Sequence, residues 1–195
     1  DFKDSAKMVK QEIKAKKKHW YSILPTANFR MPEIGETLTS DPSKLIGKTV
    51  TISAMDLMRD PKRQNVKITF RITEIRENKA LTEVKRYQIM PSSIKRMMHQ
   101  GKSKVDQSFK LETKDNIAVT AKPVIITRSK TTRGVLSKIR KNSEDFLKSA
   151  IKNQSYQEVV NSLLEAKLQS QLREHLKKIY PIAGCHIRMF EKVVE

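Results

Sequence analysis

Hydrophobic and polar positions alternate through the first part of the chain, and this period of two predicts short β-strands. The clearest case is residues 65–73, where Val66, Ile68 and Phe70 are separated by polar or basic residues. Such alternation is typical of a strand with one buried face. Asn78 predicts a turn that returns the chain as a hairpin. Weaker alternation predicts further strands over residues 49–54, 80–88, 105–111 and 117–127.

After residue 132 the apolar positions recur every three to four residues, which predicts α-helices. Val135, Ile139 and Phe146 share one side of a helical wheel, and lysines occupy the opposite side. Ser155 and Glu158 have the spacing of a capping box, which predicts the start of a second helix. Similar patterns predict a short helix over 91–100, a third long helix over 168–179 and a final strand over 185–190.

The order of these elements, strands followed by helices and one more strand, indicates an α+β fold. Several short antiparallel strands are able to close on themselves, so we predict a small antiparallel β-barrel flanked by C-terminal helices. Residues 1–18 carry seven lysines against three acidic residues, which predicts a basic N-terminal arm. The predicted domains are the arm at 1–18, a mainly β barrel-like region at 19–131, and a helical region at 132–195 whose final strand returns to the sheet.

Charge narrows the range of functions. The 195 residues include 40 Lys and Arg against 21 Asp and Glu, which gives a formal net charge of +19. Such a surface repels itself unless an anionic partner neutralises it, and nucleic acid, an anionic membrane or an acidic protein are the candidates. No apolar run approaches the roughly 18 residues of a membrane span, which argues against an integral membrane protein. The single cysteine and the lack of a signal-peptide pattern favour the cytoplasm.

The sequence offers little for catalysis. Its five glycines never lie closer than 12 residues apart, which excludes glycine-rich nucleotide loops. One cysteine and four scattered histidines give no metal-ligand spacing, so we expect no metal and no cofactor. Asp56 and Asp60 would converge on a metal ion if their stretch were helical, but we interpret it as a strand end and a turn. We therefore predict a protein that is not an enzyme. The alternative is an RNA-processing enzyme, a metal-dependent nuclease that uses these two aspartates.

Three basic stretches that lack acidic residues favour a phosphate-binding surface. They are residues 14–18, 84–105 and 116–143, and the last two carry six and seven Lys or Arg. A solvated face normally interleaves both signs of charge, so acid-free stretches favour nucleic acid held through its backbone and shape. The candidate RNA-binding residues are Lys14, Lys16, Lys17, Lys18, Lys85, Arg86, Lys130, Arg133, Arg140 and Lys141.

Two apolar features have both a functional and a structural interpretation. Trp20 follows the lysines of the arm and is suited to stacking on a base, but we favour an indole packed on the core with its N–H hydrogen-bonded. The helix predicted over 135–151 is amphipathic and basic, as in proteins that bind membrane surfaces. Its apolar stripe is more simply explained as a core contact, so we predict no membrane partner.

Short segments, taken in order, resemble one family. Residues 17–21 are KKHWY, residues 35–37 are GET, residues 41–42 are DP and residues 45–48 are LIGK. Further segments in matching order are KALT at 79–82, TKD at 113–115, IRK at 139–141 and KIYP at 178–181. Together, over about residues 16–190, they resemble the archaeal and eukaryotic small-subunit ribosomal protein family called S1e or S3Ae.

The resemblance implies a β-barrel flanked by helices and bound to small-subunit ribosomal RNA at the platform, near the mRNA exit. It implies neighbouring platform ribosomal proteins and mRNA near the exit as further partners. It implies no catalysis. The expected protein is a structural constituent of the small ribosomal subunit, ribosome-bound in the cytoplasm and supporting translation. The lack of a long C-terminal extension is more typical of archaeal members.

Two positions depart from the family pattern. Residues 97–100, Met-Met-His-Gln, stand where the family usually has an arginine pair, so this helix is a weaker candidate for RNA contact. Asn116 stands where an Asp-Gly turn is usual. Because Asn tolerates the left-handed backbone conformation, we expect the turn to be kept.

Overall fold

The computed structural model describes residues 17–26, 29 and 33–193. Most of the predicted N-terminal arm, including Lys14 and Lys16, lies outside the described residues. The last two residues of that segment, Lys17 and Lys18, are exposed directly before the first strand. Among the described helices, none combines the length and apolar character needed to cross a membrane.

The described part of the chain forms one sheet of nine strands and five α-helices. The strands are β1 (His19–Leu24), β2 (Gly35–Thr39), β3 (Thr49–Ser53), β4 (Val66–Arg76), β5 (Lys79–Ile89), β6 (Lys104–Asp106), β7 (Phe109–Glu112), β8 (Ala118–Thr127) and β9 (Ile182–Lys192). The helices are α1 (Ala54–Met58), α2 (Pro91–Met97), α3 (Arg133–Lys152), α4 (Tyr156–Leu164) and α5 (Lys167–Lys177).

The hairpin predicted from alternation is confirmed. β4 pairs antiparallel with β5, and Ile68 and Phe70 are fully buried while Lys67 is exposed. The turn between the two strands falls at Glu77 and Asn78, and Glu77 takes the left-handed conformation with φ of 56°. The alternation of residues 65–73 therefore marks the face that packs on the core.

The sheet is mixed and unclosed, which corrects the predicted antiparallel barrel. β1 runs parallel to β5, with Ser22 opposite Lys79. β9 lies between β5 and β8. At the margins, β3 pairs only with β4, and β6 and β7 pair only with β8, so no pairing among the described strands closes the sheet. At that margin, helix α3 packs against β6 and β7. Closure into a barrel would require a further strand to pair there.

The helices pack on the sheet as their apolar spacing predicts. Ile139, Leu147 and Ile151 of α3 are buried in the main core. Helix α4 begins at the predicted capping box: the Glu158 N–H donates to the Ser155 hydroxyl, and the Ser155 N–H donates to the Glu158 carboxylate. The start of α4 is thus fixed at Ser155, which places this helix over the sheet.

Candidate nucleic-acid interface

Four of the predicted RNA-binding residues come together around the start of α3. Lys130 lies in the segment between β8 and α3, Arg133 is the first residue of the helix, and Arg140 and Lys141 follow two turns later. All four are exposed. Seven helical residues separate Arg133 from Arg140, so both lie on one side of α3, about 10 Å apart. We call these four residues the α3 cluster.

Glu144 and Asp145 follow Arg140 and Lys141 by one helical turn, but neither pairs with the α3 cluster. No residue of the cluster forms an ion pair with a carboxylate in the described ranges. Helix α3 also has no acidic residue in its first turn. Unmatched cations at the surface are available to an anionic ligand without first breaking an internal contact.

A groove beside the second half of α3 is lined by further lysines that are not among the predicted RNA-binding residues. It has a volume of about 750 Å³. Lys148 and Lys152 line it from α3, and Lys110 and Lys114 line it from β7 and the turn that follows. We call Lys110, Lys114, Lys148 and Lys152 the basic groove. The helical pattern already put Lys148 and Lys152 on the outer side of α3, but only the packing of α3 against β7 brings Lys110 and Lys114 beside them.

The basic groove keeps most of its positive charge. Lys148 pairs with Glu144 at 2.7 Å, and this carboxylate, which accepts a hydrogen bond from the ammonium, raises the pKa of Lys148 above its usual value. Glu112 also lines the groove. Within the described residues Lys110, Lys114 and Lys152 form no ion pair. The groove is therefore cationic at neutral pH.

Backbone hydrogen bonds hold the two walls of the basic groove together. The Lys114 N–H donates to the carbonyl of Gln154, just after α3, at 3.1 Å. The Asp115 carboxylate accepts a hydrogen bond from the Tyr156 N–H at 2.9 Å. Asn116 closes the turn with φ of 56°, the left-handed conformation expected from its sequence. These contacts fix the position of the Lys114 backbone relative to α3 before any ligand arrives.

On β5, β6 and β9, several cations are matched by acids. Lys192 pairs with Glu83 at 3.2 Å between β9 and β5. Arg188 on β9 and Lys104 on β6 both pair with Asp106, at 3.2 and 2.9 Å. The β5–β9 side of the molecule thus carries several ion pairs, whereas helix α3 has one, between Lys148 and Glu144.

The two predicted RNA-binding residues of β5, Lys85 and Arg86, lie on the β5–β9 side. Arg86 is half-buried and its guanidinium contacts the Glu191 carboxylate at 2.6 Å. Lys85 is half-buried and lines a shallow groove with Arg71, Lys192 and Glu83. The role of both residues as RNA contacts stays a prediction. The positive charge of Arg86 is already balanced by the Glu191 carboxylate.

Trp20 does not pack on the core as we expected. On β1 the alternating residues Tyr21 and Ile23 are buried, so the pleat turns Trp20 to the opposite side, where the indole is 61% exposed. Its neighbour across the hairpin is Leu38 of β2, which is 44% exposed. The interpretation of Trp20 as a core residue is therefore wrong.

The two aspartates of the nuclease alternative lie in different local structures, Asp56 within helix α1 and Asp60 at the start of the turn that follows it. Asp56 lies in α1, which corrects the expected strand end, since the Ser53 hydroxyl accepts a hydrogen bond from the Met55 N–H and starts a short helix. Asp60 accepts hydrogen bonds from the Lys62 N–H and from Arg63, which lower the pKa of its carboxyl. No group of three or more His, Cys, Asp or Glu side chains in the described ranges is placed to hold a metal ion.

Comparison with known proteins confirms the resemblance found in the sequence. The family model described as the Ribosomal S3Ae family matches residues 6–195. A protein of Halorubrum lacusprofundi named small ribosomal subunit protein eS1 is 30% identical, over 88% of this chain and 80% of its own length. The protein of the same name from Nanoarchaeum equitans is 31% identical, over 90% of this chain and 88% of its own. A third, from Methanocaldococcus jannaschii, is 27% identical over 93% and 82%.

Proposed function

We propose that this chain, which belongs to the Ribosomal S3Ae family, holds small-subunit ribosomal RNA by neutralising phosphates along α3. Membership of this family makes it a structural protein of the small ribosomal subunit and not an enzyme. The observation that carries the RNA contact is the concentration of unmatched cations in the α3 cluster and the basic groove. Nothing in the relatives or in the described residues favours the nuclease alternative.

The geometry of α3 suits an extended contact with a phosphate backbone. The helix has 20 residues and is therefore about 30 Å long, with the α3 cluster near its start and the basic groove beside its end. Lys and Arg bind phosphates without selecting a base, so recognition would come mostly from the shape of the RNA. Because backbone hydrogen bonds hold the walls of the groove in place, less conformational entropy is lost when RNA binds.

The finer assignments extend this proposal by family resemblance. We place the chain at the platform of the small subunit, near the mRNA exit, with platform ribosomal proteins as neighbours. mRNA near the exit would be a further contact, and the protein would be ribosome-bound in the cytoplasm. Lys14, Lys16, Lys17 and Lys18 would add phosphate contacts beside β1, and Lys85 and Arg86 would add contacts from β5.

Charge reversal along α3 tests the proposal. A variant with Lys130, Arg133, Arg140 and Lys141 changed to Glu should bind small-subunit ribosomal RNA much more weakly, because each lost cation removes a phosphate contact. A second variant with Lys110, Lys114 and Lys152 changed to Glu should show the same effect. Both should keep the fold, since surface substitutions typically change stability by less than about 0.5 kcal/mol each. Gel-shift titration gives the affinity, and circular dichroism checks the fold.

A matched control separates a local effect from a general effect of charge. Lys48, Lys62, Lys67 and Lys79 are exposed, and they lie outside β6, β7 and α5, the elements that pack against α3. Changing these four to Glu alters the net charge as much as the first variant does. We expect the control to bind RNA more tightly than the α3 variant by at least tenfold. Equal losses in both would mean that α3 is not the binding face.

A further inference from the structure

The strongest unexplained feature outside α3 is the exposed indole of Trp20. Of the described large apolar side chains it is the most exposed, at 61%. It lies on the outward face of the β1–β2 hairpin, where β2 pairs with β1 alone among the described strands. A ring of this size usually packs inside a protein or in an interface. Its position in the free chain therefore indicates a ligand.

We propose that Trp20 is a stacking platform for an unpaired nucleobase of ribosomal RNA, an inference that rests on the proposed function. Aromatic rings on strands stack on bases in many proteins that bind single strands, and they tolerate any base because every base has a π face. Trp20 is planar, exposed and fixed to a strand whose other face is anchored in the core through Tyr21 and Ile23.

Charge around the ring favours RNA over a protein partner. Lys17 and Lys18 are exposed immediately before β1, and neither forms an ion pair among the described residues. His19 is exposed beside them. A base on the indole would bring its phosphates within reach of these cations, so stacking and charge neutralisation act on one nucleotide.

Charges on the β1–β2 hairpin also orient the bound nucleotide. Glu36 pairs with Ser22 across the hairpin and lies on the same face as Trp20, on the side away from Lys17 and Lys18. Its carboxylate would repel a phosphate there. The backbone of the bound nucleotide is therefore directed toward Lys17 and Lys18, and Leu38, which is opposite Trp20, lies under the edge of the base.

The single tryptophan of the chain provides a direct measurement. The full chain is titrated with a short oligouridylate that carries a fluorescent label, and Trp20 emission and label anisotropy are recorded together. We expect the oligouridylate to quench Trp20 emission, while an RNA duplex of equal length quenches it much less because its bases are already stacked. Trp20→Ala should weaken binding of the oligouridylate about 5- to 100-fold, and Trp20→Phe should retain most of the affinity.

A control variant and two outcomes complete the test. Met55→Ala removes another exposed apolar side chain, on α1, and should leave the affinity unchanged. The inference is overturned if Trp20→Ala binds the oligouridylate as the unchanged chain does, or if anisotropy shows that the oligouridylate binds without quenching Trp20 emission. A structured ribosomal RNA fragment tests the proposed function separately. If the unchanged chain binds this fragment, the proposed function stands even when the Trp20 inference fails. If the unchanged chain does not bind it, the proposed function itself is wrong.

Discussion

The exposure of the Trp20 side chain follows from how its neighbours on β1 are anchored. Trp20 and Ser22 alternate with Tyr21 and Ile23, so the two pairs lie on opposite faces of the strand. Tyr21 and Ile23 pack with Leu45, Ile72 and Ala80 in a small second core, and these residues come from distant segments that no local pattern connects.

Cys185 is a residue whose chemistry follows from burial. It lies on β9 with 5% exposure, and removal from water raises the pKa of its thiol to about 12, although nearby Arg173 has a small opposite effect. At pH 8 the thiolate fraction is then roughly a thousandfold lower than for a free cysteine. We expect an aromatic disulfide reagent to leave the folded chain unmodified and to modify one thiol per chain in denaturant. Rapid modification of the folded chain would show that β9 opens.

Among the helices and strands, the sequence correctly predicted those features whose contacting residues lie close together in the chain. The β4–β5 hairpin and the capping box of α4 each depend on residues close in sequence, and both were predicted. Helix α1 was missed because it has five residues and its apolar positions continue the strand before it. The prediction of a closed barrel was wrong because strand alternation does not specify a partner. The parallel pairing of β1 with β5, for example, joins residues 57 positions apart.

The capping box of α4 supports a prediction about stability. Ser155→Ala removes the hydroxyl that accepts from the Glu158 N–H, and such a loss typically costs about 1 kcal/mol. Urea unfolding followed by circular dichroism measures this change. The control is Ser149→Ala on the exposed side of α3, whose hydroxyl only donates to a carbonyl of its own helix. An equal loss in the control would contradict a specific capping role.

The same capping box gives a pH dependence with a defined sign. Hydrogen bonds from the Ser155 N–H, and then from its hydroxyl, lower the pKa of Glu158 below the usual carboxyl value of 4.5. A lowered folded-state pKa means that the carboxylate stabilises the fold above pH 4.5, and that this contribution is lost as the pH falls through the folded value. Glu158→Gln should therefore lower the unfolding midpoint at pH 7, and this difference should shrink as the pH falls below 4.5 through the folded value. A difference that stays constant down to the acid limit of the fold would contradict this assignment.

At the scale of the whole molecule, the net charge of +19 is unevenly distributed. Ion pairs such as Glu83–Lys192 and Arg86–Glu191 use acids of β5 and β9, while Lys114 and every cation of α3 except Lys148 form no ion pair within the described residues. The sequence identified the excess charge and part of its location. It did not identify the basic groove, because residues 110–114 and 148–152 meet only through packing of α3 on β7.

RNA binding through phosphate neutralisation is tested most directly by the salt dependence of RNA affinity. The affinity of the full chain for a small-subunit ribosomal RNA fragment would be measured between ~50 and ~200 mM monovalent salt. If about 6–10 phosphates are contacted, affinity should fall roughly 10³- to 10⁵-fold over this range. The slope of log affinity against log salt concentration should be smaller in magnitude by up to about four in the variant with Lys130, Arg133, Arg140 and Lys141 changed to Glu. An affinity that does not change with salt, or an unchanged slope in that variant, would contradict the account.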